Sequence, residues 1–186
     1  GLIWILPIIF PATGRLNPGE IHLTLLDVGQ GTAAVIETAS HALLFDTGPR
    51  FSSRFDAGSA VIIPFLRRRH IQTLDLLIQS HGDNDHIGGL PNILKEIPIK
   101  RILTSVPDKI THPFVKECMQ GQAWYWDDIR FEMLHPAPNS KLTGNNRSCV
   151  LKISNDTGAI LLTGDIEARA EKRILKRDRL RLKSPI

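Results

Sequence analysis

The chain has only two cysteines, Cys118 and Cys149, set too far apart to form a CxxC pair. That excludes the CxxC type of redox or zinc motif. It leaves open one disulfide in an oxidising compartment or two buried thiols, the thiols being the plainer expectation. No apolar run reaches the roughly 20 residues needed to cross a bilayer. There is no P-loop and no dinucleotide-binding fingerprint, and Gly29-Gln30-Gly31 matches neither. There is no internal repeat or low-complexity tract, and nothing suggests collagen, a coiled coil or long disorder. What remains is an ordinary globular composition over 186 residues, 42% hydrophobic and 23% charged, long enough for one domain with a real core.

The formal net charge is +4, which is compatible with a polyanionic partner without identifying one. Much of the basic charge sits in Arg169, Lys172, Arg173, Lys176, Arg177, Arg179, Arg181 and Lys183, and reads as a solvated helix face. Arg67-Arg68-Arg69 fits a helix C-terminus, where cations suit the dipole. The uncharged stretch 1–14 lacks the basic start of a signal peptide. It reads as the tail of a transmembrane helix, so that 1–19 would be the end of a membrane segment plus linker and 20–186 the folded domain.

Alternation predicts strands over 21–27, 32–38 and 42–46, the first two joined by a turn at Gly29-Gln30-Gly31. A helix is expected over 57–69, despite Pro64. An apolar buried strand is expected over 74–79, a helix over 87–96 and a strand over 101–104. Residues 113–120 read as helical. Two hairpins follow, 122–126 with 129–134 and 149–154 with 159–163, and then a helix over 166–177. This order suggests a layered α/β or α+β fold.

Chemistry concentrates at the ends of the apolar strands. His81, Asp83, Asp85 and His86 place four potential metal ligands within six residues, directly after the strand at 74–79. Imidazole and carboxylate donors suit zinc, manganese or iron rather than a soft thiolate site. Leu161-Leu162-Thr163-Gly164-Asp165 ends a second strand in a carboxylate that could bridge two metals. Leu44-Phe45-Asp46-Thr47-Gly48 ends a third, where Asp46 could orient ligands from behind. Of the other histidines, His22 and His41 read as strand residues, His70 as surface, and His112 and His135 as structural.

These features, in this order, resemble the metallo-β-lactamase superfamily, whose core motif is His-x-His-x-Asp-His. Here Asp83 stands in place of the second His. With Leu26-Asp27-Val28-Gly29-Gln30-Gly31 upstream, Asn145-Asn146-Arg147-Ser148 and Leu162-Thr163-Gly164-Asp165 downstream, the pattern resembles the ComEC competence proteins. The resemblance spans about residues 21–175. It implies an αββα four-layer sandwich. The chain ends at Ser184-Pro185-Ile186, before the family's His-His-Gly-Ser motif, so the sandwich is expected to be incomplete at the C-terminus.

The same resemblance implies two divalent ions, manganese or zinc, with magnesium admissible. His81 and Asp83 would serve one, Asp85 and His86 the other, and Asp165 would bridge. Asp85 and Asp46 are the expected catalytic residues, and Gln30, Asn145, Asn146 and Ser148 the expected substrate contacts. The implied activity is a metal-dependent, nuclease-like hydrolase acting on incoming DNA, single-stranded by preference. Its setting would be the bacterial inner membrane, on the extracytoplasmic side, beside other DNA-uptake proteins and joined to the membrane through an upstream part. The competing expectations are a lactonase- or thioesterase-like small-molecule hydrolase and an inactive scaffold.

Overall fold

A computed structural model describes residues 15–178. The proposed membrane tail over 1–14 and the basic residues beyond 178 lie outside it. Among the described residues no helix is long and apolar enough to cross a membrane.

Ten strands form two sheets. The first runs β1 (His22–Leu25), β2 (Ala34–Glu37), β3 (Ala42–Phe45), β4 (Leu76–Gln79), β5 (Ile102–Thr104) and β6 (Val115–Glu117), in that spatial order. β1 to β3 are antiparallel, whereas β3 to β6 are parallel. The second sheet is antiparallel, ordered β10 (Ala159–Leu162), β9 (Val150–Ser154), β8 (Ile129–His135) and β7 (Ala123–Trp126).

Side-chain alternation distributes the apolar residues into three cores. Val35, Leu44, Leu77 and Ile102 face helices α1 (Ile63–Arg68) and α3 (Leu90–Glu96), packing with Ile63, Leu66, Leu90 and Ile93. Their neighbours Ile36, Leu43, Phe45, Leu76 and Ile78 point the other way, onto Phe131, Met133, Leu151 and Ile153 of the second sheet. On that sheet's outer face Leu134 and Val150 receive Ile174 of helix α4 (Ala168–Asp178). The layers are therefore helix, sheet, sheet, helix, as the resemblance implied. β4 is buried on both faces, which is why it reads as an unbroken apolar run.

Three expectations are corrected. Residues 113–120 are not helical: Val115–Glu117 is strand β6, pairing with β5 as Ile102↔Val115. Lys116, Glu117 and Met119 are good helix formers, but propensity is a weak prior that tertiary pairing overrides. The helix expected over 87–96 begins earlier and is split, into α2 (Asn84–Ile87) and α3, at Gly88-Gly89. The cysteines are not thiols: Cys118 and Cys149 form a disulfide, with Cα atoms 6.0 Å apart. It ties the end of β6 to the start of β9 and so staples one sheet to the other. The helix expected over 57–69 is present, its first turn wound as a π-helix over Gly58–Ile62 ahead of α1.

Candidate metal centre

The parallel strands β3 and β4 deliver their C-terminal residues to one end of the sheets. β3 runs into Asp46, and β4 runs through Gln79 and Ser80 into His81. Asp46 is fully buried with a left-handed backbone (φ 59°), and every part of its carboxylate is occupied. Oδ1 accepts from Gln79 Nε2 at 2.9 Å and from the Ser80 amide at 2.6 Å. Oδ2 accepts from Ser80 Oγ at 2.6 Å and from His86 Nδ1 at 2.8 Å.

That wiring sets both imidazoles. The Ser80 hydroxyl has one proton, and with it directed at Asp46 its oxygen accepts from His81 Nδ1 at 3.0 Å. His86 Nδ1 carries its proton toward Asp46 directly. In each ring the Nε2 lone pair is left facing the same space, and the ring centroids are 4.2 Å apart. His81 Nε2 is buried and has no hydrogen-bond partner. A buried acceptor without a partner costs free energy unless something fills the role.

Asp165 reaches this point from the end of β10. One ligand atom from each of His81, His86 and Asp165 lies within 4.8 Å of the others. Asp165 Oδ1 is 3.2 Å from His86 Nε2, Asp85 Oδ2 is 3.8 Å from the same nitrogen, and Asp83 Oδ2 is 3.7 Å from His81 Nε2. The close approach depends on Gly164: a Cβ there would stand 2.8 Å from Ser80 Cβ and 3.0 Å from Ser148 Cβ, and φ is +52°. Gly31 serves the other side. Its missing Cβ would lie 1.9 Å from the Asp85 carbonyl oxygen, so the Gly29–Gly31 turn presses directly on the loop that carries Asp85 and His86. The Thr32 amide donates to that same carbonyl at 3.3 Å.

Burial pushes His81 below the ordinary histidine value, helped by the neighbouring His86 and opposed by Asp46, Asp83 and Asp165. His86 is raised: burial works against it, but the hydrogen bond and charge of Asp46, with Asp165 and Asp85, prevail. Two imidazoles with defined tautomers, one orphaned buried nitrogen and three carboxylates make a mixed nitrogen–oxygen donor set that fits zinc, manganese or iron.

The structure groups His81, His86 and Asp165, with Asp83 beside His81 and Asp85 beside His86. Asp46 is fully buried behind His86, which makes it a positioning residue and not a catalytic one. Gln30 is exposed on the rim beside Asp85. Asn145 is half-buried in the turn Gly144–Arg147. Asn146 and Ser148 already have hydrogen-bond partners within the protein. Asn146 Nδ2 donates to Glu167 at 2.6 Å and its Oδ1 accepts from the Ala170 amide at 3.2 Å. Ser148 is buried, its hydroxyl donating to the Asn145 carbonyl at 2.7 Å. Sequence reasoning missed Ser80 and Gln79. Their adjacency to His81 is plain in the sequence, but their contact with Asp46 exists only through the β3–β4 pairing.

The family model described as Metallo-beta-lactamase superfamily matches residues 26–181. Three relatives are similar over most of the chain. "Uncharacterized protein YcaI" of Escherichia coli is 39% identical, covering 90% of this chain and 22% of its own length. "Recombination protein 2" of Haemophilus influenzae is 37% identical over 85% and 20%. "Competence protein ComA" of Neisseria gonorrhoeae is 34% identical over 84% and 21%. The chain spans about a fifth of the length of these curated relatives. "Ribonuclease J" of Mycobacterium tuberculosis is similar at 28% identity, over 84% of this chain and 30% of its own. Among solved structures, the metallo-beta-lactamase fold protein YhfI of Bacillus subtilis aligns with a TM-score of 0.52 at 15% identity, over 78% of this chain and 63% of that one.

Proposed function

The chain belongs to the metallo-beta-lactamase superfamily, and from that premise we propose that it is a metal-dependent phosphodiester hydrolase acting on DNA, the hydrolytic part of a membrane DNA-uptake protein of the ComEC type. The observation that carries the chemistry is the donor set. Three carboxylates, Asp83, Asp85 and Asp165, surround two imidazoles, and oxygen-rich sites hold the hard ions that work on phosphates. The relatives named for recombination, competence and ribonuclease J support a nucleic-acid substrate.

Bound ions would supply an activated water and neutralise charge developing on the phosphate. Everything else falls to side chains. Asp46 and Ser80 hold the imidazole tautomers. Asp165 would help His81 and His86 hold the ions, and Asp85, which is half-buried, would orient the attacking water and accept its proton. The Cys118–Cys149 disulfide supports an extracytoplasmic setting, because such bonds persist in oxidising compartments. DNA and other uptake proteins are the proposed partners, with membrane attachment through the parent protein.

The test is cleavage of end-labelled single-stranded oligonucleotide with manganese, zinc or magnesium, repeated with Asp165→Ala and His81→Ala. Loss of cleavage in both variants is the expected result. Efficient lactone or thioester hydrolysis with no cleavage of DNA under any of these metals would replace this reading with the small-molecule one.

A further inference from the structure

Between the Gly29–Gly31 turn and the loop after β3 lies a cleft of about 370 Å³, lined by Gln30, Pro49, Arg50, Phe51, Asn84 and Asp85. Asp85 forms part of its wall, and Asp85 Oδ2 lies 3.8 Å from His86 Nε2, so the cleft borders the candidate metal site. Phe51, one of the lining residues, pairs with Phe55 of the same loop; the two are 54% and 53% exposed, with ring centroids 5.3 Å apart. Scattered exposed apolar residues are ordinary, but a paired aromatic patch on the rim of a charged site is a mark of binding.

The loop that carries them is built to hold its shape. Arg50 bridges Asp56 in antiparallel fashion. The amides of Phe51 and Ser52 both donate to the Phe55 carbonyl, at 2.9 and 3.0 Å, and the Ala57 amide donates to Pro49 at 2.8 Å. It is also locked to the metal-bearing segment: Asn84 Nδ2 donates to the Arg50 carbonyl at 3.0 Å, and Asn84 Oδ1 accepts from the Arg50 amide at 3.3 Å. The aromatic pair is therefore in fixed register with Asp85 and His86. Arg50 and Arg54 lie in the same loop, both exposed, and among the described residues neither guanidinium has a hydrogen-bond or ion-pair partner.

A candidate metal site beside the cleft, and two half-exposed rings and two free guanidiniums on the loop that borders it, match a strand with a phosphate backbone and an unpaired base. An acyl chain would use the rings and leave the cations idle. A base inside a duplex is stacked on its neighbours and cannot reach the rings. We propose that Phe51 and Phe55 form a stacking platform for an unpaired base beside the scissile phosphate, with Arg50 and Arg54 on the flanking phosphates, so that this cleft selects single-stranded nucleic acid. The proposal rests on the nuclease reading and assigns that reading its strand preference.

The experiment measures binding of a fluorescent oligo-dT and of a blunt duplex to the full chain by anisotropy, with calcium present to neutralise the carboxylates. Phe51→Ala/Phe55→Ala is expected to weaken single-strand binding by about tenfold per stacked base. Its salt dependence and its duplex binding should stay at the wild-type values. Arg50→Gln/Arg54→Gln is expected to lower the slope of log affinity against log salt by about 0.7 for each phosphate that is no longer neutralised. All four side chains are exposed, and unchanged melting temperatures would exclude a folding effect. A double-alanine variant that binds oligo-dT as tightly as wild type overturns the platform and leaves the nuclease reading standing. A wild-type protein that neither binds nor cuts any nucleic acid overturns both.

Discussion

Asp46 Oδ2 accepts the Nδ1 proton of His86 at 2.8 Å, inside the protein where neither group meets solvent. The carboxylate is sealed from solvent, yet it fixes which nitrogen of His86 faces the candidate metal site and, through Ser80, which nitrogen of His81 does. Asp46→Asn keeps the shape but presents an amide where an acceptor is needed. Metal affinity should fall about 10–100-fold, the usual effect of removing a partner behind a ligand, as read by calorimetric titration with zinc or manganese. Asp46→Ala should add a folding penalty of about 3 kcal/mol, because it strands buried donors from Gln79, Ser80 and His86. Wild-type metal affinity in Asp46→Asn would show that the tautomers are set some other way.

Ser80→Ala tests the indirect arm of the same wiring. The Ser80 amide still donates to Asp46, but His81 Nδ1 loses its acceptor at 3.0 Å and the ring is free to take the other tautomer. Metal affinity should fall about tenfold. Ser80→Thr restores the hydroxyl and should recover most of that loss. A Ser80→Ala protein with wild-type affinity would remove Ser80 from the site.

The candidate ligand set is legible in the sequence because its members follow apolar strands in short polar clusters, and the unbroken apolar run of β4 marks the strand that leads to His81. Asp46 is visible as a strand-end carboxylate, but its place behind His86 is not, since it depends on the parallel pairing of β3 with β4, which brings together residues 33 positions apart. The partners of Asn146 and Ser148 are hidden for a related reason. Polar residues in a loop look free in one dimension, and only the packing of α4 and β9 shows that Glu167, Ala170 and Asn145 already occupy them. Strand β6 escapes sequence reasoning because three residues at a sheet edge carry too little periodicity to outweigh helix-forming neighbours.

The disulfide should matter to stability. Cys118 and Cys149 are 31 residues apart, and a loop of that length corresponds to about 3–4 kcal/mol of constrained unfolded-state entropy. Cys118→Ala/Cys149→Ala should lower the urea midpoint accordingly, and dithiothreitol should lower the wild type but not the variant. Because the Cys149 amide donates to the Ser80 carbonyl at 2.8 Å, right beside His81, reduction should also weaken metal binding. Equal urea midpoints for oxidised wild type and the double alanine variant would show that the cross-link contributes nothing.

Asp127 supplies a pH-dependent staple at the opposite end of the sheets. It sits in the turn between β7 and β8 and reaches the turn between β2 and β3. Its carboxylate accepts from Thr38 Oγ1 at 2.5 Å, from the Ser40 amide at 2.8 Å, from Ser40 Oγ at 2.7 Å and from His41 Nδ1 at 3.3 Å. Burial opposes ionisation there, but the hydrogen bonds from Thr38, Ser40 and His41 outweigh it and hold the carboxyl well below its ordinary value of 3.8. A carboxyl whose folded value is depressed binds its proton more weakly in the folded state than in the unfolded one. Its contribution is therefore fully present above the unfolded value and is lost as pH falls through the folded one. Asp127→Asn should be less stable than wild type by about 2 kcal/mol at pH 7, the scale of hydrogen bonds to a charged group. The gap should hold down to about pH 5 and narrow progressively below pH 4, as the wild-type carboxyl protonates in the unfolded chain. Urea denaturation of both proteins at pH 7, 5, 4 and 3 measures this directly, and taking the difference cancels other carboxylates such as Asp46. A gap that stays constant from pH 7 to pH 3 would mean that the turn is held by shape alone and that the charge on Asp127 contributes nothing.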